Sequence, residues 1–305
     1  MEDVPKGTFS GFLLRARPKT SEIDTLFSGY RFVTNNIREE IIRRSSITTR
    51  ALTSGTSLSK VKFNLPSKSE QVKIAQFLMF IDQRIALQRR KVELLKDYKK
   101  GLAQHIFDVK RNSIDWEYKP LSEITEQIIR KNIGRKSNRP LTISAQYGIV
   151  DQVEFFNKAV ASNNTEGYYL LKRGDFAYNK SYSTDYPFGA VKRLDRYDEG
   201  VLSSLYICFI PKPNVDSDFL SHYFETCLWH KEISFVAAEG ARNHGLLNIA
   251  ASDFFDTLHR IPKRIVDQEL IARILNRISK KIETEQRSLD NMDKFKSGLL
   301  QRMFI

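Results

Sequence analysis

The sequence predicts an α+β fold, in which a mixed α/β domain is combined with two long antiparallel coiled-coil helices. Two observations lead to this prediction. Residues 71–107 and 268–304 are two copies of one helical sequence. The stretch between them carries short apolar segments bounded by Gly, Pro, Asn or Asp. A long repeat with a whole domain between its copies indicates two equivalent spacers that separate two equivalent modules.

The two helical copies align without a gap at an offset of 197 positions. Over the 38 pairs from Glu70/Asp267 to Phe107/Phe304, twelve pairs are identical. The first copy begins QVKIAQFLMFIDQRI and ends KKGLAQHIF, and the second begins QELIARILNRISKKI and ends KSGLLQRMF. This repeat therefore predicts two helices of one design.

Apolar residues in each copy recur at alternating spacings of four and three, which is the heptad pattern of a coiled coil. Pro66 and Pro262 stand just upstream, where proline is compatible with a helix start. The predicted seam consists of Ile74, Leu78, Ile81, Ile85, Val92, Leu95, Leu102, Ile271, Leu275, Ile278, Ile282, Leu289, Met292 and Leu299.

Polar residues interrupt both seams at the same places, Gln88/Glu285 and Lys99/Lys296. A parallel pair in register would set Lys99 against Lys296, which is unfavourable inside a seam. The sequence therefore favours an antiparallel pair. The alternative is that each seam packs on its own globular domain or on a partner chain.

Between the helices, residues 112–262 form the predicted mixed domain, and 216–233 has the apolar spacing of a helix. The predicted strands are 141–144, 168–171, 176–179, 190–194 and 201–210.

The opening 63 residues parallel the last part of this domain. Ile23-Asp24 before Phe27 matches Val215-Asp216 before Phe219. The segment 11–18 parallels 205–211, and both copies are expected to run through a short apolar strand into Pro66 or Pro262. The earlier part of the first copy is expected to be missing, and a fragment of this size should struggle to bury a core alone. The predicted division is 1–63, a partial domain; 64–111, the first helix; 112–262, the full domain; and 263–305, the second helix.

The formal net charge of +13 suggests a polyanionic partner. Residues 1–116 carry 22 Lys and Arg against 12 Asp and Glu, whereas residues 117–260 carry 17 against 18. Cys208 and Cys227 form no disulfide or metal pattern, and the five histidines have no metal spacing, so a reducing cytoplasm is expected. No signal peptide or membrane-spanning run is predicted, so no membrane association is expected.

This layout resembles the specificity (S) subunit of type I restriction-modification systems over nearly the whole chain. The two repeats resemble the family's conserved helical regions. Residues 112–262 resemble a target recognition domain in GIVDQVEFFNKAVAS, GDFAYNKS, GVLSSLYICF and EGARNHGLLNIA. One departure is that the family normally has two full recognition domains, whereas here the first is short.

The resemblance implies a non-catalytic chain without cofactor or metal. Each recognition domain would read one half of a split site in double-stranded DNA. The helices would set the spacing of the halves and dock methyltransferase (M) subunits, and restriction (R) subunits would join through that core. A second copy of the chain, or a complementing S fragment, is a further expected partner.

Three segments of 112–262, together with Gln146 and Tyr147 after LTISA, carry candidate DNA contacts. Segment 130–139 holds five basic residues and no acid, which suits phosphate contacts. Segment 178–183 offers Asn for adenine and Lys for guanine or phosphate, followed by two basic residues that could reach the DNA backbone. GARNHG is a donor-rich loop bounded by glycines. The candidates are Lys131, Arg135, Lys136, Arg139, Gln146, Tyr147, Tyr178, Asn179, Lys180, Tyr182, Lys192, Arg193, Arg242, Asn243 and His244.

Each segment also has a structural interpretation. Segment 130–139 would be an ordinary solvated loop, 178–183 a turn whose tyrosines pack inward, and GARNHG a loop that holds the last strand. Two other function classes stay open. Glu117-Tyr118-Lys119 with Asp108 upstream would suit a magnesium nuclease, although this pattern is common by chance. A coiled-coil scaffold without DNA specificity would explain the helices but not the domain between them. No P-loop, cofactor fingerprint or nucleophile elbow is present.

Overall fold

The computed structural model describes residues 8, 10, 13–47, 51–108, 113–158, 164–237 and 245–304. The chain folds into two compact units. Unit 1 comprises Met1–Lys96 with Lys281–Ile305, and unit 2 comprises Asp97–Lys280. In the described part of the chain, no helix is both long and apolar enough to cross a membrane.

Unit 1 contains short elements followed by the first long helix. They are α1 (Thr25–Phe32), α2 (Asn35–Arg43), β1 (Ser46–Ile47), β2 (Ala51–Leu52), α3 (Gly55–Leu58) and α4 (Lys68–Ile106). The Asp24 carboxylate accepts a hydrogen bond from the Phe27 N–H at 2.9 Å and thereby caps the first turn of α1. Strands β1 and β2 pair antiparallel.

Unit 2 continues with β3 (Trp116–Pro120), α5 (Leu121–Ile124), β4 (Thr125–Gln127), β5 (Leu141–Ser144), β6 (Gly148–Asp151), α6 (Gln152–Phe156), β7 (Tyr169–Lys172) and β8 (Phe176–Asn179). It ends with β9 (Ala190–Arg193), β10 (Glu199–Leu202), β11 (Ile207–Pro211), α7 (Ser217–Phe224), α8 (His230–Val236), α9 (Ala251–Asp256), β12 (Leu258–Pro262) and the beginning of α10 (Ile265–Met303). A four-stranded antiparallel sheet has the order β4-β11-β8-β9, and β10-β7, β5-β6 and β12-β3 form separate antiparallel pairs.

The central sheet of unit 2 is buried on both faces. Phe176 and Tyr178 pack on one side with the helices, while Ala177 between them packs in a second cluster on the other side. This alternation follows from the period of two in a strand. Burial on both faces explains why β8 and β11 are apolar at nearly every position.

In unit 1, α4 and α10 run antiparallel, as the sequence predicts. Leu300 and Phe304, near the end of α10, share a core with Ala75 and Leu78, near the start of α4. Phe27 of α1 completes this core, with its ring centroid 5.4 Å from that of Phe304. The predicted α+β fold with two long antiparallel helices is therefore confirmed.

The polar interruptions of the seam are paired within unit 1. The Gln88 amide donates to the main-chain oxygen of Glu285 at 2.9 Å and to its carboxylate at 2.8 Å. Lys91 forms an ion pair with Glu285 at 2.6 Å, and Lys296 forms one with Asp82. Each polar residue that interrupts the seam here has a partner from the opposite helix, as antiparallel packing allows.

None of the fourteen predicted seam residues is exposed. The buried ones are Leu78, Ile85, Val92, Ile271, Leu275 and Leu289, and the rest are half-buried.

Two predicted elements are each divided in the structure. The predicted strand 201–210 is two strands, because a turn at 203–206 moves the chain from β10, which pairs with β7, to β11 in the central sheet. The predicted helix 216–233 is two helices. The Thr226 hydroxyl and the Trp229 indole N–H donate to the main-chain oxygens of Tyr223 and Phe224, which satisfies these carbonyls and ends α7.

Two segments that flank the short helices of the partial first domain are not strands, although their counterparts in unit 2 are. Residues 13–18 and 61–66 lie in no strand. In unit 2, β12 precedes Pro262 and pairs with β3. The described part of unit 1 contains no strand that takes the place of β3, so 61–66 has no partner for a ladder.

Candidate nucleic-acid interface

The start of α4 is tied to unit 1 by one buried glutamine. The Gln71 amide oxygen accepts from the Asp24 N–H at 2.8 Å, and its nitrogen donates to the Pro66 carbonyl at 2.9 Å. Gln71 is only 1% exposed. It therefore fixes the N-terminus of α1 against the first turn of the long helix.

The start of α10 repeats this arrangement in unit 2. The Gln268 amide oxygen accepts from the Asp216 N–H at 2.8 Å, and its nitrogen donates to the Pro262 carbonyl at 2.9 Å. The Asp216 carboxylate caps α7 by accepting from the Phe219 N–H at 2.7 Å. The two ends of the repeat thus attach short helices in the same way.

A chain of polar contacts fixes α7 between the two long helices within unit 2. The Lys99 ammonium forms an ion pair with Glu225 at 2.7 Å, and Glu225 lies 3.2 Å from the His222 ring. The other ring nitrogen of His222 contacts the Asn276 oxygen at 2.8 Å, and the Asn276 amide donates to Asp218 at 2.7 Å. Burial would raise the pKa of Glu225, but the hydrogen bond with His222 and the charge of Lys99 lower it to about 2.

This network explains the polar interruption at Lys99. The Lys99 side chain forms its ion pair with Glu225, directly after α7, instead of occupying an apolar seam. The C-terminus of α4 is fixed in unit 2 by Phe107, whose ring lies 5.8 Å from that of Phe219. Arg260 donates to the Phe107 carbonyl and stacks on Trp116 at 5.3 Å.

The basic segment 130–139 is a braced turn. The buried Asn132 side chain bonds both the N–H and the carbonyl of Ser137, at 3.0 and 2.9 Å. Gly134 and Arg135 take positive φ angles of 73° and 52°, which close the turn. Arg135 and Lys136 are exposed at its tip. This rigid turn can present cations without first having to be ordered.

The other cations of the segment are engaged. The Lys131 ammonium lies 3.6 Å from the centre of the Tyr169 ring. Arg130 forms an ion pair with Asp175. Arg139 lies 4.5 Å above the Tyr197 ring and 3.7 Å from the carboxylate of Asp151. In the described ranges, Lys131, Arg135 and Lys136 form no ion pair.

Tyr178 was predicted to contact DNA, but it is buried in the structure. Its side chain is fully buried, its ring stacks on Phe254 at 4.6 Å, and its hydroxyl donates to the Phe188 carbonyl at 2.8 Å. It belongs to the core because β8 is central in the sheet and this face packs against α9. The inward-packing interpretation is correct for this residue.

Arg193 is a second correction. Its half-buried guanidinium forms ion pairs with Asp195 at 2.7 Å and Asp218 at 2.6 Å, and it donates to the Ser217 hydroxyl at 2.9 Å. Burial would lower the pKa of Arg193, but these two carboxylates raise it. Its charge is used inside unit 2 rather than offered to a DNA backbone.

In the rest of the 178–183 segment, the side chains of Asn179 and Lys180 already form hydrogen bonds within unit 2. The Asn179 oxygen accepts from the Ser181 N–H at 3.0 Å, and the Lys180 ammonium donates to the Ile249 carbonyl at 3.2 Å. Tyr182 is 39% exposed. Gly189 packs tightly against this segment, because a Cβ at its position would lie 2.1 Å from the main-chain oxygen of Asn179. Arg242, Asn243 and His244 lie outside the described residues.

Lys192 and Gln146 line one cleft of about 910 Å³ in unit 2. Lys99 and Lys100 of α4 also line it. Burial lowers the pKa of Lys192, although the carboxylate of Glu225 partly opposes this effect. Among the described residues, the Lys192 ammonium makes no hydrogen bond or ion pair. The heptad spacing predicted only a seam position for Lys99. Nothing in that spacing indicated that this side chain lines a cleft.

The fold and the sequence agree with known specificity subunits. Residues 3–97 match the family model of the type I restriction modification DNA specificity domain. The chain is also similar in structure to a type I restriction-modification system S subunit from M. genitalium, with a TM-score of 0.56 and 15% identity over 93% of this chain and 73% of that chain. A chain from a structure on complex assembly and conformational transition of the type I R-M system gives a TM-score of 0.53 and 12% identity, over 91% of this chain and 70% of that chain. No curated protein matches the chain.

At these identities the structural likeness establishes the fold, which is that of an S subunit. Residues 3–97 match this family, and the resemblance found in the sequence is confirmed.

Proposed function

We propose that this chain is the DNA-binding specificity subunit of a type I restriction-modification complex. It would direct methyltransferase and restriction subunits to a bipartite site in double-stranded DNA. The observation that carries the proposal is the duplicated attachment, in which Gln71 and Gln268 each fix a capped helix to the start of a long helix. Equivalent attachments suit a protein that holds two equivalent reading modules.

The proposed domain division follows the repeat. Residues 1–63 are the C-terminal part of a first recognition domain, and 112–262 are a second recognition domain. Residues 64–111 and 263–305 are the conserved helices. The contacts that support this are the equivalent packing of Phe27 on Phe304 and of Phe219 on Phe107.

Lys131, Arg135, Lys136 and Lys192 are the proposed contacts to DNA phosphates. The first three belong to the braced turn, and none of the four forms an ion pair among the described residues. Phosphate contacts release counterions, so they make binding strongly salt-dependent. Asn179 and Gln146 are proposed base contacts, because an amide can bond adenine bidentately.

A mobility shift with the purified chain and mixed-sequence duplex DNA tests this proposal. Reversing the charge of Lys131, Arg135 and Lys136 together should weaken binding to all sequences. It should also lower the slope of log affinity against log salt by about one for each phosphate that the protein no longer neutralises. The matched control reverses Arg273, Arg277 and Lys280, three exposed residues of α10 in unit 2.

The control variant should retain both the affinity and the salt slope of the parent chain. Equal reductions in the two variants would show that only net charge matters, which would contradict a contact surface at 130–139. A parent chain that binds no duplex at any salt concentration would contradict the proposed function itself and favour the scaffold.

We propose that catalysis comes from the partners. Glu117 and Lys119, the pair that a nuclease would use, form an ion pair with each other at 2.8 Å. Within the described ranges, no group of three or more His, Cys, Asp and Glu residues is placed to hold a metal ion. The purified chain is expected neither to cleave nor to methylate DNA when magnesium or S-adenosylmethionine is added, and activity from the pure chain would contradict this.

The methyltransferase is the proposed partner of an exposed apolar surface on unit 1. Phe77, Phe80 and Phe295 are 47%, 61% and 61% exposed, and they line one groove with Met292. A contiguous apolar surface of this kind indicates a protein interface. Replacing Phe77 and Phe80 with Asp should abolish copurification with the methyltransferase of the same system, while DNA binding by the chain persists.

A further inference from the structure

Three aromatic side chains form an exposed cluster on unit 2. Tyr147 lies at the tip of the β5–β6 hairpin, and Phe155 and Phe156 lie on α6. The ring centroids are 6.2 Å apart for Tyr147 and Phe155 and 5.0 Å apart for Phe155 and Phe156. The three residues are 58%, 44% and 45% exposed. A contiguous apolar patch left in water indicates a binding surface rather than a scattered exposed residue.

The framework under this cluster is fixed by hydrogen bonds. The Asp151 carboxylate accepts from the N–H groups of Val153 and Glu154 at 2.8 and 3.3 Å, which caps α6. The Tyr147 N–H donates to the Ser144 hydroxyl at 3.2 Å. The hairpin tip and the helix that carry the rings are therefore ordered before any ligand arrives, which lowers the entropy cost of binding.

Helix α6, which carries two rings of the aromatic cluster, contacts the end of the basic segment 130–139 at Arg139 and Pro140. The Gln152 N–H donates to the carbonyl of Pro140 at 2.8 Å, directly after Arg139. Arg139 also approaches the α6 cap, because its guanidinium lies 3.7 Å from the Asp151 carboxylate. The Tyr197 ring lies under Arg139, and its hydroxyl accepts from the Asp151 N–H at 3.3 Å.

The acidic groups near the rings are engaged. Asp151 caps α6 and faces Arg139, and the Glu154 carboxylate accepts from the Tyr197 hydroxyl at 3.4 Å. The surface therefore combines apolar rings with a basic border. This combination matches duplex DNA, in whose grooves thymine methyl groups and sugars lie beside charged phosphates.

We propose that Tyr147, Phe155 and Phe156 contact the apolar surfaces of nucleotides in DNA while the turn at 130–139 holds the neighbouring phosphates. The proposal rests on the proposed function and adds a contact of a different chemistry. Phosphate contacts position the protein, whereas contact with thymine methyl groups depends on sequence. The rings would thus contribute to the choice of target.

Alanine substitution of Phe155 and Phe156 in the full chain tests the proposal, with Tyr147→Ala as a second variant. Affinity for a mixed-sequence duplex is expected to fall about tenfold, because the burial of two apolar rings against the DNA is lost. The slope of log affinity against log salt should not change, because every phosphate contact stays in place. The control is Phe235→Ala, which removes a ring of α8 that is 71% exposed in the same unit.

The outcomes separate this inference from the proposed function. If the parent chain does not bind the duplex, the proposed function fails. If the parent and the Phe155→Ala/Phe156→Ala variant bind equally, the inference is overturned. Unchanged DNA affinity together with failed methyltransferase copurification would assign the rings to a protein interface instead.

A measurement on the unsubstituted chain does not depend on the folding of variants. The duplex would carry 5-bromodeoxyuridine in place of thymidine, and ultraviolet crosslinks would be located by mass spectrometry. The crosslinks are expected in peptides that contain Tyr147 or Phe155 and Phe156. A crosslink map confined to other segments would overturn the inference.

Discussion

Gln71 and Gln268 each satisfy two main-chain groups with one buried amide. A buried group left without its hydrogen bond costs about 1–3 kcal/mol, so these side chains contribute more than a surface glutamine. Their positions follow from the repeat, since both stand at the first turn of a long helix. These equivalent hydrogen bonds explain why both copies of the repeat have a glutamine at this position.

Replacing Gln71 with Leu should leave the Asp24 N–H and the Pro66 carbonyl without their partner. We expect the free energy of local opening of α1 to fall by about 2 kcal/mol or more. Native-state hydrogen exchange of the α1 amides measures this change. Gln76→Leu makes the same substitution at an exposed position of α4 and should alter exchange little. Equal changes in the two variants would contradict the role of Gln71.

Glu225 gives unit 2 a defined acid sensitivity. Although burial acts to raise its pKa, the contacts with His222 and Lys99 hold it at about 2, below the value of a free carboxyl group. A lowered pKa means that the contribution to stability is present above about pH 5 and disappears as pH falls toward 2.

The Glu225→Gln variant should therefore be less stable than the parent at about pH 7 and lose less stability between about pH 5 and pH 2. Thermal unfolding across this pH range measures both effects. Glu126→Gln, at an exposed position of β4, serves as the control. A parent and a Glu225→Gln variant with parallel pH profiles would show that the carboxylate is not stabilised by these contacts.

The candidate DNA-contacting residues were predicted from the sequence less accurately than the fold was. Tyr178 and Tyr182 stand in the same polar and aromatic segment, yet one is buried and the other is exposed. The difference depends on α9, which is distant in sequence and covers Tyr178 through Phe254. Arg193 was misassigned for a similar reason, because its partner Asp218 belongs to α7. Local pattern does not reveal such long-range partners.

Among the elements, the long helices were the most predictable. Each is 39 residues long, which corresponds to about 58 Å at the usual rise per residue. The heptad spacing places one face toward the other helix whatever the rest of the fold does. The divided strand 201–210 and helix 216–233 were not foreseen, because a turn and two side-chain caps interrupt otherwise regular apolar patterns.

Leu78 and Leu275 test the equivalence of the two helices, since they occupy the same position of the repeat and both are fully buried. Each Leu→Ala change should cost about 2–5 kcal/mol, because it removes buried atoms and leaves a cavity. Denaturant unfolding would report the destabilisation, and hydrogen exchange would locate it in the unit concerned. Leu87→Ala, at a position that is 69% exposed on α4, should cost far less. A large cost at only one of the two buried positions would contradict equivalent packing.

The resemblance to specificity subunits was recognisable from the whole chain because the repeat and the intervening domain agree. Residues 1–116 hold most of the basic excess, whereas 117–260 are close to neutral, so the cations proposed for DNA binding are local features rather than a general field. In this neutral region, cations that form no ion pair among the described residues lie on a braced turn and in a cleft. This arrangement favours positioned phosphate contacts over general attraction to polyanions.

We propose that the chain chooses the DNA sequence on which its partner subunits act. Methylated adenines should be mapped across the genome of cells that carry the chain with its methyltransferase, and of matched cells in which the chain is deleted. A bipartite methylated motif is expected only in the cells that carry the chain. Methylation that is identical in the two cell lines, or without any shared motif, would contradict it.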